Sequence, residues 1–112
     1  MTIMQGDSYP IYMELKQDGE ILTPDMVEEL EICVGTDGST ALRKLLSEGG
    51  ALFDENTKCW YIYPTQQETL GLAVGFYYVH ARIRYQGEDP EKVIGIPVGR
   101  IQIADGLSEA VI

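Results

Sequence analysis

The sequence predicts an all-β protein: a β-sandwich of about seven short strands with one short capped helical turn at residues 65–70. Three observations carry this. Apolar and polar residues alternate with period two through most segments, the pattern of half-buried strands. Turn-forming groups such as Asp18-Gly19 and Ser47-Glu48-Gly49-Gly50 punctuate the chain at short intervals. A single capping signature, Thr65-x-x-Glu68, marks the one clear helix start.

The 112 residues suffice for one domain with one core, without disulfide staples. Residues 1–104 are expected to form it, and 105–112 a C-terminal tail, flexible or docked on a partner. The 45% hydrophobic content is ordinary for a globular protein. No apolar run approaches the ~20 residues that span a bilayer. The opening MTIMQGDSYP lacks a basic stretch followed by an apolar run, so no secretory signal is expected. With 18 acidic against 8 basic residues, the net charge is -10. Such a surface repels nucleic acid and anionic lipid, so neither is an expected partner.

The elements follow in order. Ile3 and Met4 precede Gly6-Asp7-Ser8, a turn cluster. Tyr9, Ile11, Met13 and Leu15 then alternate as the inner face of a strand, with Pro10 at its start or on an edge. Asp18-Gly19 predicts a hairpin to Ile21-Leu22. Thr23-Pro24-Asp25 makes a short turn. Leu30, Ile32 and Val34 face the core of the next strand, with Glu29, Glu31 and Cys33 opposite. Helix is the rival reading of DMVEELEI, because glutamate favours it. GTDGST is a loop, ALRKLL a strand, and Ala51-Leu52-Phe53 another. Lys58 to Tyr63 is a strand with Trp60 and Ile62 inward.

The capped turn comes next, stopped by Gly71. In GFYYVHARIRY, Tyr77, Val79, Ala81 and Ile83 point inward. Its polar face carries Arg82 and Arg84, expected to pair with glutamates across the sheet. Gln86 to Glu91 is a turn. In the last strand the core set passes from Ile94, Ile96 and Val98 to Ile101 and Ile103. That slip of one residue needs a bulge, placed at Gly99.

The residues offer little chemistry. His80 is the only histidine and sits mid-strand with no relay partner. Neither a nucleophile elbow nor a phosphate-cradling loop is present. Acidic turns at Asp37, Asp54-Glu55 and Glu88-Asp89-Pro90-Glu91 do not follow a calcium-loop pattern. Cys33 and Cys59 lack the spacing of a zinc or redox site and are expected as free thiols. No catalytic, cofactor-binding or metal residue is assigned, and no cofactor is expected.

Two resemblances extend this reading. Thr65 to Glu68 followed by Gly75, Tyr77 and Val79 resembles the E–F corner and F strand of immunoglobulin-like domains. Val79 stands where disulfide-bonded members carry a cysteine, so the bridge is absent. The second covers nearly the whole chain. Gly6-Asp7-Ser8, Asp18-Gly19, Leu30-x-Ile32, Gly49-Gly50, Tyr63-Pro64-Thr65 and Gly75-x-Tyr77, in that order, are similar to small phage tail and baseplate proteins. The likeness is to the N-terminal domain of the upper baseplate protein of phages of Gram-positive bacteria. The closing Leu107-Ser108-Glu109-Ala110-Val111-Ile112 also resembles the end of prophage structural proteins.

This resemblance implies an immunoglobulin-like antiparallel β-sandwich without enzymatic activity. It implies a structural role in the virion, assembled in the host cytoplasm through contacts with other virion structural proteins. A homo-oligomer is expected. No functional residue transfers. The alternative is an immunoglobulin-like ligand- or carbohydrate-binding module using Tyr61, Tyr63 and Tyr78. A small enzyme centred on His80 is the third reading.

Overall fold

The computed structural model describes residues 1–87, 89, 92–107 and 110–112. Its strands are β1 (Thr2–Met4), β2 (Ile11–Met13), β3 (Lys16–Gln17), β4 (Glu20–Ile21), β5 (Val27–Thr36), β6 (Ser39–Leu45), β7 (Leu52–Asp54), β8 (Cys59–Ile62), β9 (Gly75–Tyr85) and β10 (Ile94–Ala104). One α-helix, α1 (Gln66–Leu70), lies between β8 and β9. The protein is all-β. Among the described residues ten strands replace the expected seven or so: β1 is added, and the alternating segment that begins at Tyr9 is divided into β2 and the ribbon strand β3.

The strands form a five-stranded sheet ordered β1-β10-β9-β5-β6, a three-stranded sheet ordered β2-β8-β7, and the separate β3–β4 ribbon. The expected purely antiparallel arrangement needs correction. β1 runs parallel to β10, Thr2 opposite Gln102 and Met4 opposite Ala104, so the large sheet is mixed. Residues 2–4 carry no strand signature in the sequence. Three residues with one buried side chain, Ile3, carry too little pattern to show it.

The two larger sheets share one core. Leu30, Ile32 and Val34 on β5 and Val79, Ala81 and Ile83 on β9 meet Ile11, Met13, Trp60 and Ile62 from the smaller sheet. Each of these apolar sets matches the period-two reading. Tyr9 does not: it precedes β2 and is exposed, not inward. Pro10 sits just before β2, an edge strand, where its missing donor costs no ladder bond. Asp18 and Gly19 both adopt positive φ in the β3–β4 turn, as that hairpin requires. Trp60 is fully buried, and its indole N–H donates to the Leu22 carbonyl at 2.8 Å. That bond satisfies the only polar atom the ring carries into the core.

The β10 bulge falls at Val98, one residue before the expected Gly99. Pro97 pairs with His80 and Gly99 with Val79, which leaves Val98 as the extra residue. The inward set then resumes at Ile101 and Ile103, both buried.

Helix α1 begins with both bonds of the capping box. Glu68 N–H donates to Thr65 Oγ1 at 3.1 Å, and Thr65 N–H to Glu68 Oε1 at 2.9 Å. A five-residue helix is too short to hold itself, so outside contacts must fix it. Thr69 is buried; its Oγ1 accepts from Gly6 N–H at 3.0 Å and donates to the Asp7 carbonyl at 2.8 Å. Ser8 Oγ donates to the Pro64 carbonyl at 3.0 Å. Lys44 Nζ on β6 reaches Glu68 at 2.8 Å. The two turn motifs, residues 6–8 and 63–69, are therefore one bonded unit.

Within the expected tail, Gly106 lies against Gln5: a Cβ there would fall 2.5 Å from the Gln5 carbonyl oxygen. The Ile112 N–H donates to Gln66 Oε1 at 2.7 Å. Glu88, Pro90, Glu91, Ser108 and Glu109 lie outside the described residues, and with them parts of the expected 86–91 turn and of the tail.

Candidate protein-protein interface

Strict alternation on β9 sends Phe76, Tyr78, His80, Arg82 and Arg84 to the outer face of the five-stranded sheet. Register then decides their neighbours. Cys33 on β5 stands between His80 and Arg43 of β6. Arg100 on β10 stands opposite Tyr78. All four arginines of the chain thus share this one face. Elsewhere the cations are lysines. This clustering is invisible in the linear sequence, where Arg43, Arg82 and Arg100 lie far apart.

Three of the arginines meet carboxylates. Glu31, whose side chain is only 6% exposed, accepts from Arg82 Nε at 2.7 Å and from Arg43 Nε. The Cys33 thiol donates to the same carboxylate at 3.1 Å. The Arg82 bond, joined by those from Cys33 and Arg43, overcomes burial and holds the Glu31 carboxyl at about 2. Burial, then the Glu31 hydrogen bond and charge, push the Cys33 thiol up to about 11. Arg84 lies 3.8 Å from Glu28. The expected cross-sheet pairing of Arg82 and Arg84 with glutamates is present.

Arg100 differs. It pairs with no acid among the described residues and instead lies over the Phe76 ring, 4.9 Å from the centroid. Phe76 is 57% exposed and Tyr78 47%. Hollows flank the Tyr78–His80 ridge. One, of about 380 Å³, is bounded by Cys33, Asp37, Ser39 and Thr40. The other, of about 330 Å³, is bounded by Pro97, Val98, Gly99 and Arg100, beside the bulge. Exposed aromatics with arginine on a rigid sheet are the composition enriched at protein-protein contacts.

The remaining sequence candidates disperse. His80 is exposed, with Cys33 and Pro97 opposite it on the two neighbouring strands and the Tyr78 ring 6.5 Å away; burial and Glu31 raise the Cys33 thiol, which lowers its thiolate fraction at neutral pH. Both cysteines are free. Asp54 Oδ1 accepts from the Asn56 N–H, and Glu55 pairs with Lys58 at 3.1 Å. Among the described residues, no group of His, Cys, Asp and Glu could hold a metal ion. The acidic turn at residues 88–91 lies largely outside the described residues. Tyr61 stacks on Tyr12 at 4.9 Å on the outer face of the small sheet, with Tyr63 just beyond it. Tyr78 is on the other sheet, so the three proposed sugar-binding tyrosines do not share a face. No described helix is long and apolar enough to cross a membrane.

Sequence reasoning did not single out Phe76 and Arg100. Alternation placed Phe76 outward, but only the β9–β10 register brings Arg100 to it.

No family model matches this chain, and no curated protein or solved structure matches it significantly.

Proposed function

We propose that this is a non-enzymatic structural protein of a phage or prophage, of its tail or baseplate, built on an immunoglobulin-like sandwich. It acts in virion assembly through contacts with other virion proteins and with copies of itself. The observation that carries the contact role is the exposed Phe76, Tyr78 and Arg100 patch on a rigid sheet. The phage assignment rests on the motif order described above.

Strand order supports the immunoglobulin-like reading. In such domains strands B, E and D lie in one sheet, and C, F and G, with C′ in variable types, in the other. Taking β2 as B, β5 and β6 as C and C′, β7 as D, β8 as E, β9 as F and β10 as G gives both orders. Tyr77, near the start of the F equivalent, donates from its hydroxyl to the Ala73 carbonyl at 2.6 Å. That bond has the form of the tyrosine corner. Three departures remain: β1 joins the larger sheet, Val79 replaces a cysteine, and the buried tryptophan is on β8.

The test is to induce the prophage of the host, band the particles on a density gradient and analyse them by mass spectrometry. Peptides of this chain in fixed ratio to tail proteins are expected. Their presence in the lysate but not in the banded particles rejects the proposal.

A further inference from the structure

Deepening the assembly reading, and resting on it, we propose that the Phe76, Tyr78 and Arg100 patch receives the acidic β3–β4 hairpin of a second copy of this chain, head to tail.

The acceptor is defined by Arg100. In a chain with 18 acidic and 8 basic residues, a guanidinium without an acid partner among the described residues stands out. It is held over the Phe76 ring, 4.9 Å from the centroid, which restricts the guanidinium before any partner arrives. The adjoining hollow of about 330 Å³ has no acidic residue in its lining. The other hollow carries Asp37, which would repel an acidic guest.

The donor is the part of the chain that best complements it. The β3–β4 ribbon belongs to neither larger sheet. Its tip exposes Asp18, Gly19 and Glu20, followed by Ile21 at 39% exposure. Neither acid makes an ion pair among the described residues, while the one ribbon cation, Lys16, is neutralised by Glu14 at 2.9 Å. A two-residue turn with both φ values positive gives the tip a defined shape, so little ordering entropy is lost on docking.

Position makes the contact intermolecular. The ribbon lies at the Tyr85 end of β9: the chain runs from it directly to Met26, whose carbonyl accepts from the Gln86 N–H at 3.0 Å, and to Val27, which pairs with Tyr85. The patch lies at the Phe76 end of the same strand, roughly 30 Å away at about 3.3 Å per residue. The longest extent of the molecule is 47 Å, and a separation of this order is far beyond the reach of a side chain. One copy cannot satisfy itself. Different surfaces meet, so the contact is heterologous and builds a ring or an open stack.

The test is sedimentation velocity of the full chain over a concentration series at low and high salt, with circular dichroism to show that each variant is folded. The wild type is expected to self-associate, and less so as salt rises. Arg100→Glu should weaken association about tenfold or more, and so should Asp18→Lys with Glu20→Lys. Mixing the two variants should restore it, because the reversed charges again face opposite signs. A wild type that stays monomeric overturns the proposal. So does association indifferent to Arg100→Glu, or a mixture that fails to recover. Particle incorporation is read separately. Association without incorporation removes the assembly reading alone; incorporation of a solution monomer removes the head-to-tail contact alone.

Discussion

Glu31 on β5 and Arg82 on β9 face each other across the large sheet, with Glu31 Oε1 2.7 Å from Arg82 Nε and the carboxylate almost wholly covered. Desolvation of such a carboxylate is offset only while both guanidiniums and the thiol hydrogen-bond to it. Its pKa falls from an ordinary 4.5 to about 2 on folding. The unfolded state therefore binds the proton first. The stabilisation is complete above about pH 4.5 and is lost as pH falls toward 2. On the order of 2 kcal/mol should disappear over that window, after screening at the exposed arginine ends. Urea unfolding at stepped pH checks this; Glu31→Gln should be less stable near neutral pH and show a flatter acid limb.

Tyr77→Phe removes the hydroxyl that donates to Ala73 and nothing else. A loss of about 1 kcal/mol is expected, since the freed carbonyl sits on an exposed residue and can meet water. Chemical denaturation with an unchanged m-value would check it.

Thr69→Val should cost more than Thr65→Ala, although Thr65 is the helix cap. Removing the cap costs roughly 1 kcal/mol. Thr69 is buried, and valine would leave the Gly6 N–H without its acceptor, at about 1–3 kcal/mol. Comparing the two unfolding midpoints decides the order.

Trp60 is the only tryptophan, so its fluorescence reports the core directly. Emission should be blue-shifted and resist iodide quenching until the protein unfolds. Trp60→Phe should destabilise by about 2 kcal/mol or more, from a cavity and from the stranded Leu22 carbonyl.

Thiol titration should show two rates. Cys33, with its pKa pushed up to about 11, should react slowly with a disulfide reagent at neutral pH. Cys59 should react first.

Much of the fold could be read along the chain, because its causes are local. Alternation in 75–85 fixed which β9 side chains are inward, the spacing of Thr65 and Glu68 gave the cap, and Asp18-Gly19 gave the hairpin. The one-residue slip in the hydrophobic set of β10 disclosed a bulge within one position of its place. Tertiary structure decided everything that depends on which strands become neighbours. The parallel β1–β10 pair has no period of its own to announce it. Glu31 looked like an outward strand residue, yet two arginines from different strands cover it. Thr69 looked like a helix residue, yet it bonds the Gly6-Asp7 turn. The proposed contact face is of the same kind: Phe76 and Arg100 are ordinary exposed residues until register sets the ring under the guanidinium. A period of two assigns a side chain to a face, but only the pairing of strands assigns it a neighbour, and recognition is made of neighbours.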